Sequence, residues 1–575
     1  MLNTLKKYWN YDNFRPLQAE IIQSVLDGRD TLALMPTGGG KSLCFQVPTM
    51  VMGGLCLVIT PLISLMKDQV ENLRCRDIRA AAIYTGMSYE QQKVALDNCQ
   101  WGPYHFLYVS PERLESEEFR ERLTRLPICL IAVDEAHCIS QWGYDFRPSY
   151  LKIAEIREVI RRKGDEAIRR EVPILALTAT ATPDVVDDIQ ERLAFREKNV
   201  LRKSFLRANL SYVVRQTNKK ADEIVHILSK VPGSAIVYVR NRQRAQELAT
   251  YLNEKGLSAD FYHAGLTAKE RAAKQEAWKI GDEAMRREGE RPGTRVIVAT
   301  NAFGMGIDKP DVRVVIHHDL PDTIEAYFQE AGRAGRDEQR AFAVLLYDPS
   351  QDKAKARKRV ADNYPPEEFL HTVYHKTCNY LGVGADSGQG ATFFLDVYDL
   401  CQKMHLPILT TYSALHLLSQ MGYFSFEEDQ EIQPRVQIRV QRRELDNYNL
   451  TDAQIALLES LMREYTGIFT DLQYVQGIDD HTHKLLVSLA EKRVISYVSR
   501  TVANVLRLNV NRQAEIRIPE HFYTGRKTHY VEKLKAMVEY ADNQLYCRSQ
   551  LLLSYFGEND AITCGTCDIC RKNRS

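Results

Sequence analysis

The chain has 575 residues, 44% hydrophobic and 26% charged, with a net charge of +1. That length predicts three to five domains with cores of their own. No run approaches the ~18 apolar residues of a membrane helix, and the opening MLNTLKKYWN lacks a signal peptide's apolar stretch, so a cytosolic protein without membrane contact is expected. A near-neutral total does not exclude nucleic acid, because binding depends on local basic surface. DKAKARKRV (352–360) and RVQIRVQRREL (435–445) are such runs, though each also reads as a solvated helix or strand face.

Up to about residue 208 short aliphatic runs alternate with helical segments: TLALM (31–35), LCLVIT (55–60), HFLYVS (105–110), CLIAVD (129–134) and ILALTAT (174–180). The pattern restarts with AIVYV (235–239), SADFYH (258–263), RVIVAT (295–300), VRVVIHH (312–318) and AVLLY (343–347). Such alternation predicts two α/β domains with parallel sheets, over 1–208 and 209–349, with ligands at the carboxyl ends of strands or in the cleft between the sheets. Two polar, charged insertions, 157–172 and 279–294, read as helical surface elaborations. From 350 to 530 the alternation stops. FFLDVYDLCQKMHL and TYSALHLLSQM read as helices before a short strand, and THKLLVSLAEKRVISYVSR (482–500) repeats the form. This fits a winged helix or any small α+β domain. GVGADSGQGA (382–391) reads as a mobile linker.

Within MPTGGGKSLCF, Gly38, Gly39, Gly40, Lys41 and Ser42 stand between a strand and a helix. Glycines let backbone N–H groups approach phosphate, Lys41 adds a point cation, and Ser42 offers a hydroxyl to magnesium. Met35 occupies the first glycine position of the usual phosphate-loop pattern, and the alternative is a glycine-rich turn. Asp134 and Glu135 end the strand CLIAVD. Alone they fit a capped strand end with solvated acids. With a phosphate loop in the same sheet they suit magnesium and an attacking water, Asp134 as metal holder and Glu135 as base. In YFQEAGRAGRD, Gln329, Arg333 and Arg336 lie on a segment read as helix, where arginines three apart share one face. They could reach a phosphate across the cleft as arginine fingers, or form a surface salt-bridge helix.

Eight of the twelve cysteines lie in apolar or helical contexts and read as small buried hydrophobes. Cys547, Cys564, Cys567 and Cys570 are bunched near the C-terminus, with two C-x-x-C spacings. Four thiolates there suit a tetrahedral zinc site in a module (531–575) too small to hold itself by apolar burial.

FRPLQAEII, MPTGGGKSLCFQVP, TPLISLMKDQV, YVSPERL, DEAHCISQWGYDFRPSY, LTATAT, TNAFGMGIDKPDVR and QEAGRAGRD, in this order, resemble a RecQ-type DNA helicase of superfamily 2, with two RecA-like motor domains. The spacing of the cysteine tail resembles the zinc module of that family. The resemblance implies an ATP- and magnesium-dependent enzyme that unwinds DNA 3′→5′ in recombination and repair. Its implied substrates are single strands, 3′-tailed duplexes, forks and junctions, on the nucleoid. By the family pattern Tyr11 and Arg15 would stack on adenine and Gln18 would bond its edge; Thr178 and Thr180 would couple hydrolysis to domain closure. The loop after the acid pair, with Trp142, Phe146 and Arg147, would sense single-stranded DNA by stacking and phosphate contact, the alternative being a packed aromatic corner. Tyr144 stands where histidine is common in relatives. A translocase or remodeller without processive unwinding is the second reading, and a non-catalytic DNA-binding scaffold the third. Protein partners stay open, a single-strand-binding protein among them. The zinc module usually follows the second motor domain directly. Here about 200 residues intervene, which leaves the strand-separating element unnamed.

Overall fold

The computed structural model describes residues 1–36, 38–84, 87, 89–140, 147–161, 172–281, 293–303, 309–432, 435–440, 442–464, 473–474, 479–498 and 501–573. The chain forms two compact units, Met1–Val360 with Thr524–Ser575, and Ala361–Tyr523.

The first unit contains two parallel sheets. The first sheet comprises β1 (Thr31–Leu34), β2 (Leu55–Ile59), β3 (Ala80–Ile83), β4 (Phe106–Val109), β5 (Ile128–Val133), β6 (Ile174–Thr178) and β7 (Val200–Arg202), in the order β3-β4-β2-β5-β6-β1-β7. The second comprises β8 (Leu210–Gln216), β9 (Ser234–Tyr238), β10 (Ala259–Tyr262), β11 (Val296–Ala299), β12 (Val312–His317) and β13 (Ala341–Tyr347), in the order β10-β11-β9-β12-β13-β8. Helices cover both faces of such sheets, so the strands are near-continuous aliphatic runs; every residue of β1, β2, β4, β6, β9 and β11 is buried. Register places Leu34 of β1 opposite Thr178 of β6, and Val133 of β5 opposite Ala176 of β6. Three segments distant in sequence therefore end side by side, which fixes where the chemistry can lie.

The C-terminal segment packs back onto the second sheet's domain. Helix Glu520–Asp542 runs into helix Arg548–Tyr555, and Phe556 is fully buried, its ring 5.2 Å from Phe205 and 5.0 Å from Phe328. Lys533 and Glu325, both buried, pair at 2.7 Å. The stretch Ala361–Tyr523 is thus an insertion in the chain of the first unit.

In the second unit, helix Glu367–Tyr380, β14 (Thr392–Leu395), helices Val397–Met404 and Ile408–Gln420, β15 (Phe424–Ile432) and a late strand, β19 (Thr501–Leu508), build an antiparallel β14-β19-β15 sheet under three helices. This is a winged-helix arrangement. A second small sheet, β16 (Arg435–Ile438), β17 (Gln473–Tyr474) and β18 (Ile495–Val498), with helices Asp452–Glu464 and Asp480–Glu491, is interposed where the wing would turn.

Three expectations change here. Thr392–Leu395 is strand rather than the start of a helix, because it pairs with β19 and Asp396 then caps helix Val397–Met404 by accepting from Asp399 N–H. Residues 382–391 are not a free linker. Asp386 N–H donates to Arg512 C=O and Gly390 N–H to Leu508 C=O, and a Cβ on Gly388 (φ +97°) would meet Leu508 at 2.8 Å. Of the eight scattered cysteines, Cys75 is exposed and Cys129 half-buried. Of the polar insertions 157–172 and 279–294, residues 162–171 and 282–292 lie outside the described residues, and 157–161 end helix Ile153–Arg161.

Candidate active site and metal centre

The phosphate-loop residues follow β1. Gly38 and Gly40 take φ of +82° and +77°, a left-handed backbone that glycine adopts without strain. Ser42 stands at the N-cap position of helix Leu43–Met52, its side chain making no capping hydrogen bond. Gln18 donates to Gly40 C=O at 3.0 Å and accepts from Arg15 N–H at 2.9 Å, while the Arg15 guanidinium donates to Gly38 C=O at 2.7 Å. A Cβ on Gly40 would stand 2.4 Å from Gln18 Nε2 and would displace that amide, while the φ itself favours glycine. Tyr11 is exposed nearby in sequence.

Lys41 Nζ lies 3.7 Å from Glu135 Oε1. Glu135 sits at φ +47°, a left-handed conformation uncommon for glutamate, which turns its carboxylate back toward the loop. His137 Nδ1 is 3.4 Å from Glu135 Oε2 and 2.9 Å from Thr178 Oγ1, and Thr180 N–H donates to that hydroxyl at 3.3 Å. The acid pair is thereby wired to the end of β6. Burial and the Glu135 charge push the Asp134 carboxyl up to about 6. Burial acts upward on Glu135 too, but Lys41, His137 and Arg333 outweigh it and hold it below the usual carboxylate range. Tyr150 OH donates to Asp134 C=O at 3.0 Å. Arg147 reaches Pro61 C=O at 3.3 Å; Trp142, Tyr144 and Phe146 lie outside the described residues.

Gln329 is buried on helix Ile324–Ala331. The helix ends there, so Arg333 and Arg336 occupy the following turn and not one helix face. Gly335 shapes the turn after it: its φ is +63°, and a Cβ there would meet Asn209 Nδ2 at 2.6 Å and Ala341 Cβ at 2.8 Å. The turn aims both arginines at the first domain. Arg336 Cγ lies 3.3 Å from where a Cβ on Gly38 would stand, and Arg333 acts electrostatically on Glu135. Arg333 is buried, and among the described residues its Nε has no hydrogen-bond partner. An orphan cationic donor, a lysine and an acid pair around a glycine loop fit a magnesium-bound nucleotide, with Ser42 and Asp134 as the residues to hold the metal.

Cys547, Cys564, Cys567 and Cys570 have their sulfurs within 4.8 Å of one another, Cys547 and Cys564 at 3.5 Å. Zinc–sulfur bonds of ~2.3 Å give tetrahedral sulfur–sulfur edges of about 3.8 Å, so the cluster fits zinc. Arg548, fully buried, pairs with Asp568 at 3.0 Å and donates to Asn543 C=O at 2.8 Å and to Tyr540 C=O. Neither this arginine nor the bridging role of His137 was assigned from sequence. Their signals were an arginine directly after a ligand cysteine and the histidine of DEAH.

Three family models match: "DEAD/DEAH box helicase" over residues 15–189, "Helicase conserved C-terminal domain" over 219–338 and "RecQ zinc-binding" over 512–571. The "Probable ATP-dependent DNA helicase RecS" of Bacillus subtilis (strain 168) is 40% identical over 375 residues, 64% of this chain and 71% of that protein. The chain belongs to the RecQ family. "ATP-dependent DNA helicase RecQ" of Haemophilus influenzae is 41% identical over 390 residues, 66% of this chain but 60% of that RecQ protein. The solved structure "DUF1998 helicase MrfA bound to DNA" shares the fold at a TM-score of 0.50 and 18% identity, over 73% of this chain and 60% of that one. Tandem RecA-like domains and a RecQ zinc module with four cysteine ligands follow from fold and family together. Among the described residues, no helix is long and apolar enough to cross a membrane.

Proposed function

We propose that the chain is an ATP-dependent DNA helicase that moves 3′→5′ along single-stranded DNA and unwinds duplex or branched DNA in recombination and repair. One observation carries this reading: Arg336 of the second domain packs against Gly38 of the first, its Cγ 3.3 Å from where a Cβ would stand, and the Arg333 charge acts on Glu135. A nucleoside triphosphate in the seam would have its phosphates cradled by Gly38–Lys41, while Arg333 and Arg336 stabilise charge on the departing γ-phosphoryl. Glu135, a carboxylate at neutral pH, orients the attacking water and accepts its proton. Ser42 and Asp134 would hold magnesium, which would supply charge neutralisation at the phosphates. Tyr11, Arg15 and Gln18 would bind adenine, Arg15 and Gln18 exchanging loop carbonyls for the base. Gln329 contributes to the seam. Closing the lobes completes the site, and His137 with Thr178 and Thr180 relays that closure to Glu135.

Trp142, Phe146 and Arg147 would sense the strand, since bases stack on aromatic faces at ~1–3 kcal/mol each whatever the sequence. Trp142→Ala and Phe146→Ala should keep DNA-free hydrolysis and lose stimulation. Action on the nucleoid in the cytoplasm goes with this reading, and a tagged chain should overlap the DNA stain.

The deciding experiment measures phosphate release with no nucleic acid, with DNA and with RNA, then strand displacement on 3′- and 5′-tailed duplexes. DNA-specific stimulation and displacement of the 3′-tailed duplex alone are expected. No phosphate release with DNA overturns the proposal. Stimulated hydrolysis without displacement reduces it to a translocase.

A further inference from the structure

Charge is divided unevenly along the chain. The Ala361–Tyr523 unit holds 14 Lys and Arg against 21 Asp and Glu, and the remainder of the chain 62 against 54. Helix Ile408–Gln420, which occupies the groove-reading position of the winged helix, contains no Lys or Arg. The electrostatic footprint for a polyanion therefore lies in the motor unit.

Within that unit a cavity of about 360 Å³ opens at the carboxyl ends of β8, β12 and β13, lined among others by Lys219, Lys220, Arg244, His318 and Lys355. Its two lining carboxylates, Asp222 and Asp348, keep their charge, but Lys219, Lys220, Arg244 and Lys355 outnumber them. Asp348 accepts from the N–H groups of Ser350 and Gln351 and from the Ser350 hydroxyl, and Asp222 accepts from Tyr251 OH at 2.6 Å. Buried Lys220 is neutralised by Asp352 at 2.7 Å and donates to His318 C=O. Three exposed cations remain. Lys219 has no ion-pair partner among the described residues. Arg244 has Glu247 at 3.9 Å, and Lys355 has only Asp352, already taken by Lys220, also at 3.9 Å. Among the described residues no Phe, Tyr or Trp and no large aliphatic side chain lines the cavity, and its one aromatic ring, His318, is buried, so it offers little for a base to stack on.

We propose that Lys219, Arg244 and Lys355 form a phosphodiester-binding cleft of the second motor domain, a sequence-independent contact to the backbone of bound DNA separate from the nucleotide seam. This rests on the DNA-motor reading above.

The test is a triple variant, Lys219→Ala, Arg244→Ala and Lys355→Ala, compared with a control removing equal charge elsewhere, Lys7→Ala, Lys255→Ala and Lys535→Ala. Affinity for a 3′-tailed duplex is measured by anisotropy across a salt series, with single-stranded tails of dT and of dC. Each lost phosphate contact lowers the slope of log affinity against log salt by about 0.7–0.9, so a reduction of about 2–3 is expected for both tails. The control should keep the native slope, and unchanged melting of both variants checks their folding. A native slope in the cleft variant, or an equal fall in the control, overturns the inference. A native protein without DNA-stimulated hydrolysis would instead overturn the motor reading, so the two failures are told apart.

Discussion

Arg548 and Asp568 close the four-cysteine module like a clasp: Arg548 Nη2 lies 3.0 Å from Asp568 Oδ2, and Nε lies 3.1 Å from Oδ1. Arg548 follows the ligand Cys547 and Asp568 follows Cys567, so the pair fixes the spacing of the two chain segments that carry the sulfurs. It also binds the carbonyls of Tyr540 and Asn543, which end helix Glu520–Asp542.

Replacing Arg548 with Met keeps most of its volume but leaves the part-exposed Asp568 and two carbonyls without their partner. Breaking a fully buried pair costs about 3–5 kcal/mol, and water at Asp568 lowers that figure here. Zinc release to a colorimetric chelator should speed up at least tenfold, and the melting midpoint should fall. Chelation of the native protein should lower melting in the same direction, because metal binding to such a module is folding free energy. Unaltered zinc release in Arg548→Met would remove the clasp role.

Arg333 and Arg336 are each held in a turn set by Gly335 and not by helix periodicity, so their aim at the first domain is a tertiary property. Arg333→Ala or Arg336→Ala should lower kcat about 10³-fold, the size expected when a transition-state arginine is removed. KM for ATP should shift only several-fold, since Lys41 and the loop remain. A fall in affinity with kcat preserved would make these arginines substrate-binding groups instead.

His137 touches both the acid pair and the end of β6. His137→Ala should leave DNA-free hydrolysis within about threefold and cut DNA stimulation by tenfold or more, about 1.4 kcal/mol of coupling. Thr178→Val, which removes the hydroxyl from the same hydrogen bond, should produce the same split. Loss of basal hydrolysis in both variants would assign His137 to chemistry and not to coupling.

The parts of the site that were legible in the sequence are those set by local chemistry. A strand buried on both faces is a continuous aliphatic run, a phosphate loop needs glycines next to Lys41, and four thiolates at C-x-x-C spacing have few uses other than metal. Partnerships formed only by folding were not legible. Nothing local tells that Arg548 is buried against Asp568, that His137 turns toward Thr178, or that Phe556 packs between Phe205 and Phe328 from some 230–350 residues away. Thr392–Leu395 misleads because its two phenylalanines are both half-buried, erasing the alternation that marks an edge strand. The module order is likewise a tertiary property: helix Glu520–Asp542 packs onto the second motor domain through Lys533 and Glu325, which makes Ala361–Tyr523 an insertion.

Asp30 is the residue on which the first sheet's register depends. Fully buried one position before β1, it accepts from Arg157, from the Arg196 side chain and backbone N–H, and from Ile174 N–H at the start of β6. Burial acts to raise its carboxyl, but the Arg196 and Arg157 bonds and the Ile174 N–H outweigh it and hold the group below the ordinary value. A depressed folded-state acid contributes stability that is present above its unfolded value, about 4, and is lost as pH falls through the lower folded value. Asp30→Asn should therefore cost about 3–5 kcal/mol at pH 7, where it strands two arginines. The gap between native and variant in calorimetric melting should narrow steadily as pH drops below about 4. A gap that stays constant across that range would show that Asp30 contributes through shape and neutral hydrogen bonds, not through its charge.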